Sequence, residues 1–159
     1  MCEVFMQHRK LIPHKTERGQ AFMELAISLV FLLVLLTVLV DLGWAFYTMI
    51  AMRDTVQEAA VYGSICPDTA DDTKIVARLR MSASAPLDIN TINSNDIDIQ
   101  YVEVNGTSGI QRGDSIQITL NYQHKIVVPL VATFIGKDTY PLHVTVADTL
   151  LQNNDSKCD

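Results

Sequence analysis

From Leu25 to Val40 the chain reads LAISLVFLLVLLTVLV, sixteen residues of which only Ser28 and Thr37 are polar. Extended back to Ala21, the run covers twenty positions with a single ionisable group, Glu24. A hydrocarbon layer is about 30 Å thick and takes about 20 helical residues to cross. In lipid the backbone N–H and C=O groups must bond within their own segment, which for one segment means a helix. No Pro or Gly interrupts the run before Gly43. A core helix of a soluble domain would carry a polar stripe, and this run has none. The run therefore predicts one membrane-spanning helix. In 159 residues that leaves room for one further small domain of about 100 residues.

Charge gives the span a direction. Residues 1–19 carry Arg9, Lys10, Lys15 and Arg18 against Glu3 and Glu17, whereas residues 53–159 carry eight basic and fourteen acidic side chains. Basic residues flank the apolar run on its N-terminal side only, which predicts the N-terminus inside and the C-terminal domain outside. An acidic outer domain offers no basic stripe to phosphates, so a nucleic-acid partner is not expected. Cys2, Cys66 and Cys158 have neither CxxC nor His-paired spacing, and no metal site or cofactor is expected from them. Cys2 falls inside. Cys66 and Cys158 fall together outside, where an oxidising compartment would allow a bridge; whether they meet is open at this point.

Residues 1–19 read as a basic leader, with Pro13 and scattered His residues and no apolar periodicity. A secretory signal peptide has the same order of basic and apolar regions, but a shorter apolar region and a small-residue cleavage site after it. Here Val40 is followed by Asp41-Leu42-Gly43-Trp44-Ala45-Phe46-Tyr47, a bulky aromatic set. The apolar helix is expected to stay in the mature protein.

The leader ends Arg18-Gly19-Gln20-Ala21-Phe22-Met23-Glu24, a Gly before the apolar segment with a carboxylate five residues on. This resembles the processing site of type IV pilin-like precursors, in which a membrane peptidase cuts after Gly and leaves Glu at mature position five. RGQAFMELA followed by DLGWAFYTMIAMRDTVQEAAVYGSI resembles, more specifically, the TadE/TadG family of pilus-associated proteins. That family shows RGQA-x-x-E, an apolar run, D-x-G-x-A-F-Y and an Ala-rich amphipathic continuation. The resemblance covers residues 18–65; it departs at Trp44, where such proteins more often carry Arg. It implies cleavage between Gly19 and Gln20 by a prepilin peptidase, and a role for Glu24 in pairing with the amine of a neighbouring subunit to set register. The residue types suit those roles. Glycine presents no side chain to a protease cleft, Gln20 and Glu24 stand one helical turn apart, and a carboxylate near hydrocarbon needs a partner. The plain alternative places Glu24 within reach of headgroups and water.

Asp41 marks the outer boundary, where Trp44 and Tyr47 suit an interfacial aromatic belt. Helical spacing continues through Phe46, Ile50, Val56, Ala59, Ala60 and Tyr62, with Gly63 as the expected cap and Pro67 beyond it. Asp71 or Thr69 is expected to cap a short helix through Ser82, and 83–95 reads as a connection. Ile97, Ile99 and Tyr101, then Ile116, Ile118, Leu120 and Tyr122, then Leu142, Val144 and Val146 alternate with polar residues. Pro129 and Pro141 confine their strands to edges or ends. The expected fold is α+β: a long N-terminal helix, part transmembrane and part amphipathic, packed on a small antiparallel sheet in a pilin-like layout. The segments are a leader (1–19), the transmembrane helix with its extension (20–65), a small α+β domain (66–151) and a polar tail (152–159).

Catalysis finds no motif. His124 and His143 read as exposed strand residues outside any nucleophile or metal pattern. Asp96, Asp98 and Glu103 fit no Ca²⁺ loop spacing. The expected role is structural rather than enzymatic. It is a minor pilin-like subunit or assembly factor of a tight-adherence (Flp) pilus or related secretion system in the bacterial inner membrane, with lipid, other pilin-like subunits and assembly proteins as partners. The alternative is a membrane-tethered binding module unrelated to pilus assembly.

Overall fold

A computed structural model of the chain describes residues 17–67, 72–104, 106 and 109–153. Helix α1 (Glu17–Ile65) is continuous through the apolar run and beyond it. The chain divides into two compact units, the first ending at Leu36 and the second beginning at Thr37.

In the first unit the described residues form the opening turns of α1. Twelve large apolar side chains between Phe22 and Leu36 are exposed there. Leaving a side chain of that size in water rather than burying it costs about 1.5–3 kcal/mol. Twelve of them amount to tens of kcal/mol, more than the roughly 5–15 kcal/mol by which a whole domain is stable. Residues 19–65 form one helix long and apolar enough to cross a membrane, and its most apolar stretch is wholly unburied.

The second unit is an α+β domain. After α1 come α2 (Thr73–Ser82), two single-turn 3-10 helices (Ile89–Thr91 and Ser94–Asp96), β1 (Ile97–Val102), β2 (Ser115–Lys125), α3 (Pro129–Ile135) and β3 (Thr139–Thr149). The strands form an antiparallel sheet in the order β1-β2-β3. Register puts the apolar alternation in rows: Ile99 opposite Ile118 opposite Val146, and Ile97 opposite Leu120 opposite Val144. One face is therefore apolar. The other carries Thr119 and Thr145, whose hydroxyls meet at 3.0 Å.

The core lies between the apolar face and α1. Ile116, Ile118 and Leu120 from β2 are fully buried with Met52, Val56 and Ala59 from α1 and with Ile75 and Leu79 from α2. The buried positions of α1 in this unit are Thr48, Met52, Thr55, Val56, Ala59, Ala60, Gly63 and Ser64, steps of three and four that make one helical stripe. This stripe includes the expected Val56, Ala59 and Ala60, with Tyr62 packed beside them, and departs from expectation at its start. Phe46 and Ile50 point away from the core and are exposed, while Thr48 enters it and donates its hydroxyl to the Trp44 carbonyl at 2.9 Å. A threonine with its hydroxyl so satisfied can occupy an apolar face.

Three further expectations are corrected. Gly63 does not cap α1, which continues to Ile65. Its role is close packing, since a Cβ added there would stand 2.6 Å from Ile116 Cδ1 and 3.2 Å from Ile75 Cδ1. Pro129 does not end a strand but opens α3, a position where its missing N–H has no helical partner to lose; α3 stops at Gly136, left-handed at φ 73°. His124 is buried, only 6 % exposed, because it continues the inward parity of Leu120 and Tyr122; His143 is exposed as expected. Pro141 lies in the edge strand β3. Thr69 and Asp71 fall outside the described residues; α2 is preceded by Asp72, with no side-chain cap bond from it.

Candidate functional site

The motif residues before the apolar run lie on α1. Gly19, Gln20 and Glu24 are all helical and exposed, and among the described residues nothing beyond the adjoining helix stands within 4 Å of where a Gly19 Cβ would be. Packing among the described residues thus gives no reason for glycine at this position.

After the run, Asp41 has a definite structural partner. Its Oδ1 accepts the backbone N–H groups of Val127 and Val128, both at 3.0 Å, and Oδ2 accepts Val128 again at 3.4 Å. Val128 is the residue preceding α3, with extended backbone. The carboxylate thereby fastens α1 to the β2–α3 connection with charge-assisted bonds. Trp44 and Tyr47 lie on the following turns. The rings of Trp44 and Tyr47 are 5.7 Å apart and tilted by 56°. The Tyr47 hydroxyl donates to the Ala85 carbonyl at 3.4 Å, reaching the connection after α2. Both aromatics remain about half exposed.

Beside Asp41 lies an open, mostly apolar cleft of about 380 Å³, walled by Leu42, Phe46 and Met49 of α1 together with Ile126, Val131 and Ile135, with His124 and Tyr140 also at its wall. Burial pushes the His124 imidazole below its usual 6.5, and the Asp41 carboxylate opposes that shift in part. His124 is thus a buried imidazole packed into an apolar wall. Among the described residues no cluster of three or more His, Cys, Asp or Glu could hold a metal ion. The acidic residues raised by the sequence have local partners instead. Asp96 accepts the Asn93 N–H at 2.8 Å, Asp98 accepts the Gln100 amide at 2.8 Å, and Glu103 accepts the Gly109 N–H at 3.3 Å.

At the far end of α1 the chain is clamped. Leu151 donates its N–H to the Ser64 carbonyl at 2.8 Å, and Leu150, fully buried, donates to Asp114 at 2.7 Å. Asp114 is itself buried and accepts the N–H groups of Val104 and Gln111, which shapes the β1–β2 connection. Cys66, one residue past α1, is disulfide-bonded; Cys158 lies outside the described residues. Sequence reasoning placed Asp41 but not its partners, and it missed Asp114, whose acceptor role depends on a loop that no local pattern encodes.

No curated protein and no solved structure matches the chain. A family model does: residues 19–61, from the glycine before the apolar run to the buried stripe against the sheet, match the family described as TadE-like protein, and that segment is all but the two ends of helix α1.

Proposed function

We propose that this chain is a single-pass protein of the bacterial cytoplasmic membrane, N-terminus inside, and a structural pilin-like minor subunit or assembly factor of a tight-adherence (Flp) pilus or related secretion system. One observation carries the reading. The TadE-like match spans the whole apolar run and both of its flanks, and the run is a helix whose large apolar side chains are exposed among the described residues. Pilus association follows from the family that the segment resembles.

In this reading residues 1–19 are a cytoplasmic leader and a prepilin peptidase cuts between Gly19 and Gln20. Glu24 then sits in the first turn of the mature helix. A carboxylate there costs about 2.5–3.5 kcal/mol at mid-bilayer depth and less near the interface, and the amine of a neighbouring pilin-like subunit offsets that cost while fixing axial register. Asp41 holds the outer domain to the helix, with Trp44 and Tyr47 at the membrane boundary. Cys66 pairs with Cys158, drawing the polar tail (152–159) to the end of α1, where Leu151 already bonds Ser64.

Mass spectrometry of the mature N-terminus, from cells that also make a prepilin peptidase, tests this. A start at Gln20 supports pilin-type processing. An intact Met1 removes Gly19 and Gln20 from the mechanism and leaves a plain membrane anchor.

A further inference from the structure

Between Lys125 and Lys137 the chain reads IVVPLVATFIG, eleven residues without a charge. It supplies the connection that follows β2, the whole of α3 and the turn at Gly136. Little of it enters the core, which is built from α1, α2 and the sheet. Val127, Leu130, Phe134 and Ile135 are exposed, Phe134 to 94 %. Asp41 fixes where this surface sits, because its bonds to Val127 and Val128 hold the start of α3 one residue past the apolar run. Val38, on the last turn of that run, and Leu42 just past it line the same cleft as Val131 and Ile135, and Val38, Leu39, Val40 and Leu42 are themselves exposed.

We propose that α3 is a second membrane contact, its Leu130 and Phe134 side chains entering the outer interface of the bilayer that the apolar run crosses. This rests on the reading of that run as a membrane span. Continuity decides the occupant: the exposed apolar surface of 127–135 adjoins the exposed last turns of the run, so one lipid surface covers both. The charge pattern agrees. An interfacial element carries an apolar body with cations at its edges, and Lys125 and Lys137, both exposed, bracket the segment where lysine stems can lie along apolar surface and reach lipid phosphates. Seven helical residues are far too few to cross a bilayer, which takes about 20, so α3 lies in the interface rather than spanning it. With the span, it makes a two-point attachment that restrains how the outer domain is oriented on the membrane.

Trp44 is the single tryptophan, which allows a direct test. In a Trp44→Phe background, full-length protein carrying either Phe134→Trp or Leu33→Trp is reconstituted in phosphatidylcholine–phosphatidylglycerol vesicles containing brominated lipid. The proposal expects the Phe134→Trp emission to be blue-shifted and quenched more by bromines near the headgroup than by bromines at the chain end, with the opposite order for Leu33→Trp. Quenching of Leu33→Trp with none of Phe134→Trp overturns the proposal alone, and covers the case in which a second copy or another protein caps α3. No quenching of either variant overturns the membrane span beneath it.

Discussion

Asp41 and Val128 stand 87 residues apart in sequence, and the carboxylate of the first accepts the backbone N–H of the second at 3.0 Å. The aspartate that follows the apolar run is thus more than a polar stop to a hydrophobic segment. It is the joint by which α1 holds the β2–α3 connection, with Val127 as a second donor to the same oxygen.

Removing that joint has a measurable cost. Hydrogen bonds to a charged group contribute about 1.5–3 kcal/mol each when buried, and the partial exposure of Asp41 puts the loss for Asp41→Ala nearer about 1–2 kcal/mol. Asp41→Asn keeps a carbonyl acceptor and loses less. Hydrogen exchange at the Val127 and Val128 amides in detergent-solubilised full-length protein should accelerate most in Asp41→Ala; unchanged exchange would show that the contact holds nothing.

His124 should make stability depend on pH. Burial lowers its folded-state value below 6.5, so below pH 6.5 the unfolded chain takes up a proton that the folded chain refuses. Its contribution to stability is complete above pH 6.5 and declines as pH falls toward the folded value, by at most about 1.4 kcal/mol per pH unit. Because Asp41 partly opposes the shift, Asp41→Asn should lower the His124 value further. Imidazole chemical shifts against pH measure both; titration at or above 6.5 in the unaltered protein would contradict the packing role.

Gly63 sets two effects against each other. Ala in a helix interior is worth about 1 kcal/mol over Gly, whereas overpacking a filled core costs about 1–3 kcal/mol. With Ile116 fully buried and its Cδ1 at 2.6 Å from the added Cβ, overpacking wins, and Gly63→Ala should lose about 1 kcal/mol net. Ile116→Val removes that methyl. It should cost about 0.5–1.5 kcal/mol alone but less beside Gly63→Ala, a coupling that thermal unfolding of the double-mutant cycle reads directly.

The disulfide at Cys66 bears on topology. Non-reducing peptide mapping should join Cys66 to Cys158, and Cys66→Ser should lower stability by about 2–4 kcal/mol. A peptide linking Cys66 to Cys2 would contradict the assignment of the two ends to opposite sides of a membrane.

How far the fold was legible follows from the range of the interactions that specify it. The apolar run and the three alternating strands announce themselves because their signal is periodic and local. The same parity that put Tyr122 on the inner face also included His124, and following it two residues further would have buried the imidazole. The later part of the stripe on α1 was read correctly at Val56, Ala59 and Ala60, but its start was misjudged because Thr48 and Thr55, which are buried, are polar by composition, and Thr48 satisfies its hydroxyl within its own helix. Pro129 suits a strand end and a helix start equally, and the bonds from Val127 and Val128 to Asp41, far away in sequence, help to fix the second. The proposed processing and register residues Gly19, Gln20 and Glu24 rest on a motif, not on packing, since all three are exposed among the described residues.

The central claim is that residues 21–40 reside permanently in a bilayer with the acidic domain on the outer side. Alkaline carbonate extraction of membranes from cells making the whole chain tests it most directly. The account predicts that the protein stays with the membrane pellet and is released by detergent alone, with residues 53–159 open to protease added outside the membrane. A chain recovered in the supernatant as a monomer, with no detergent present, would contradict it.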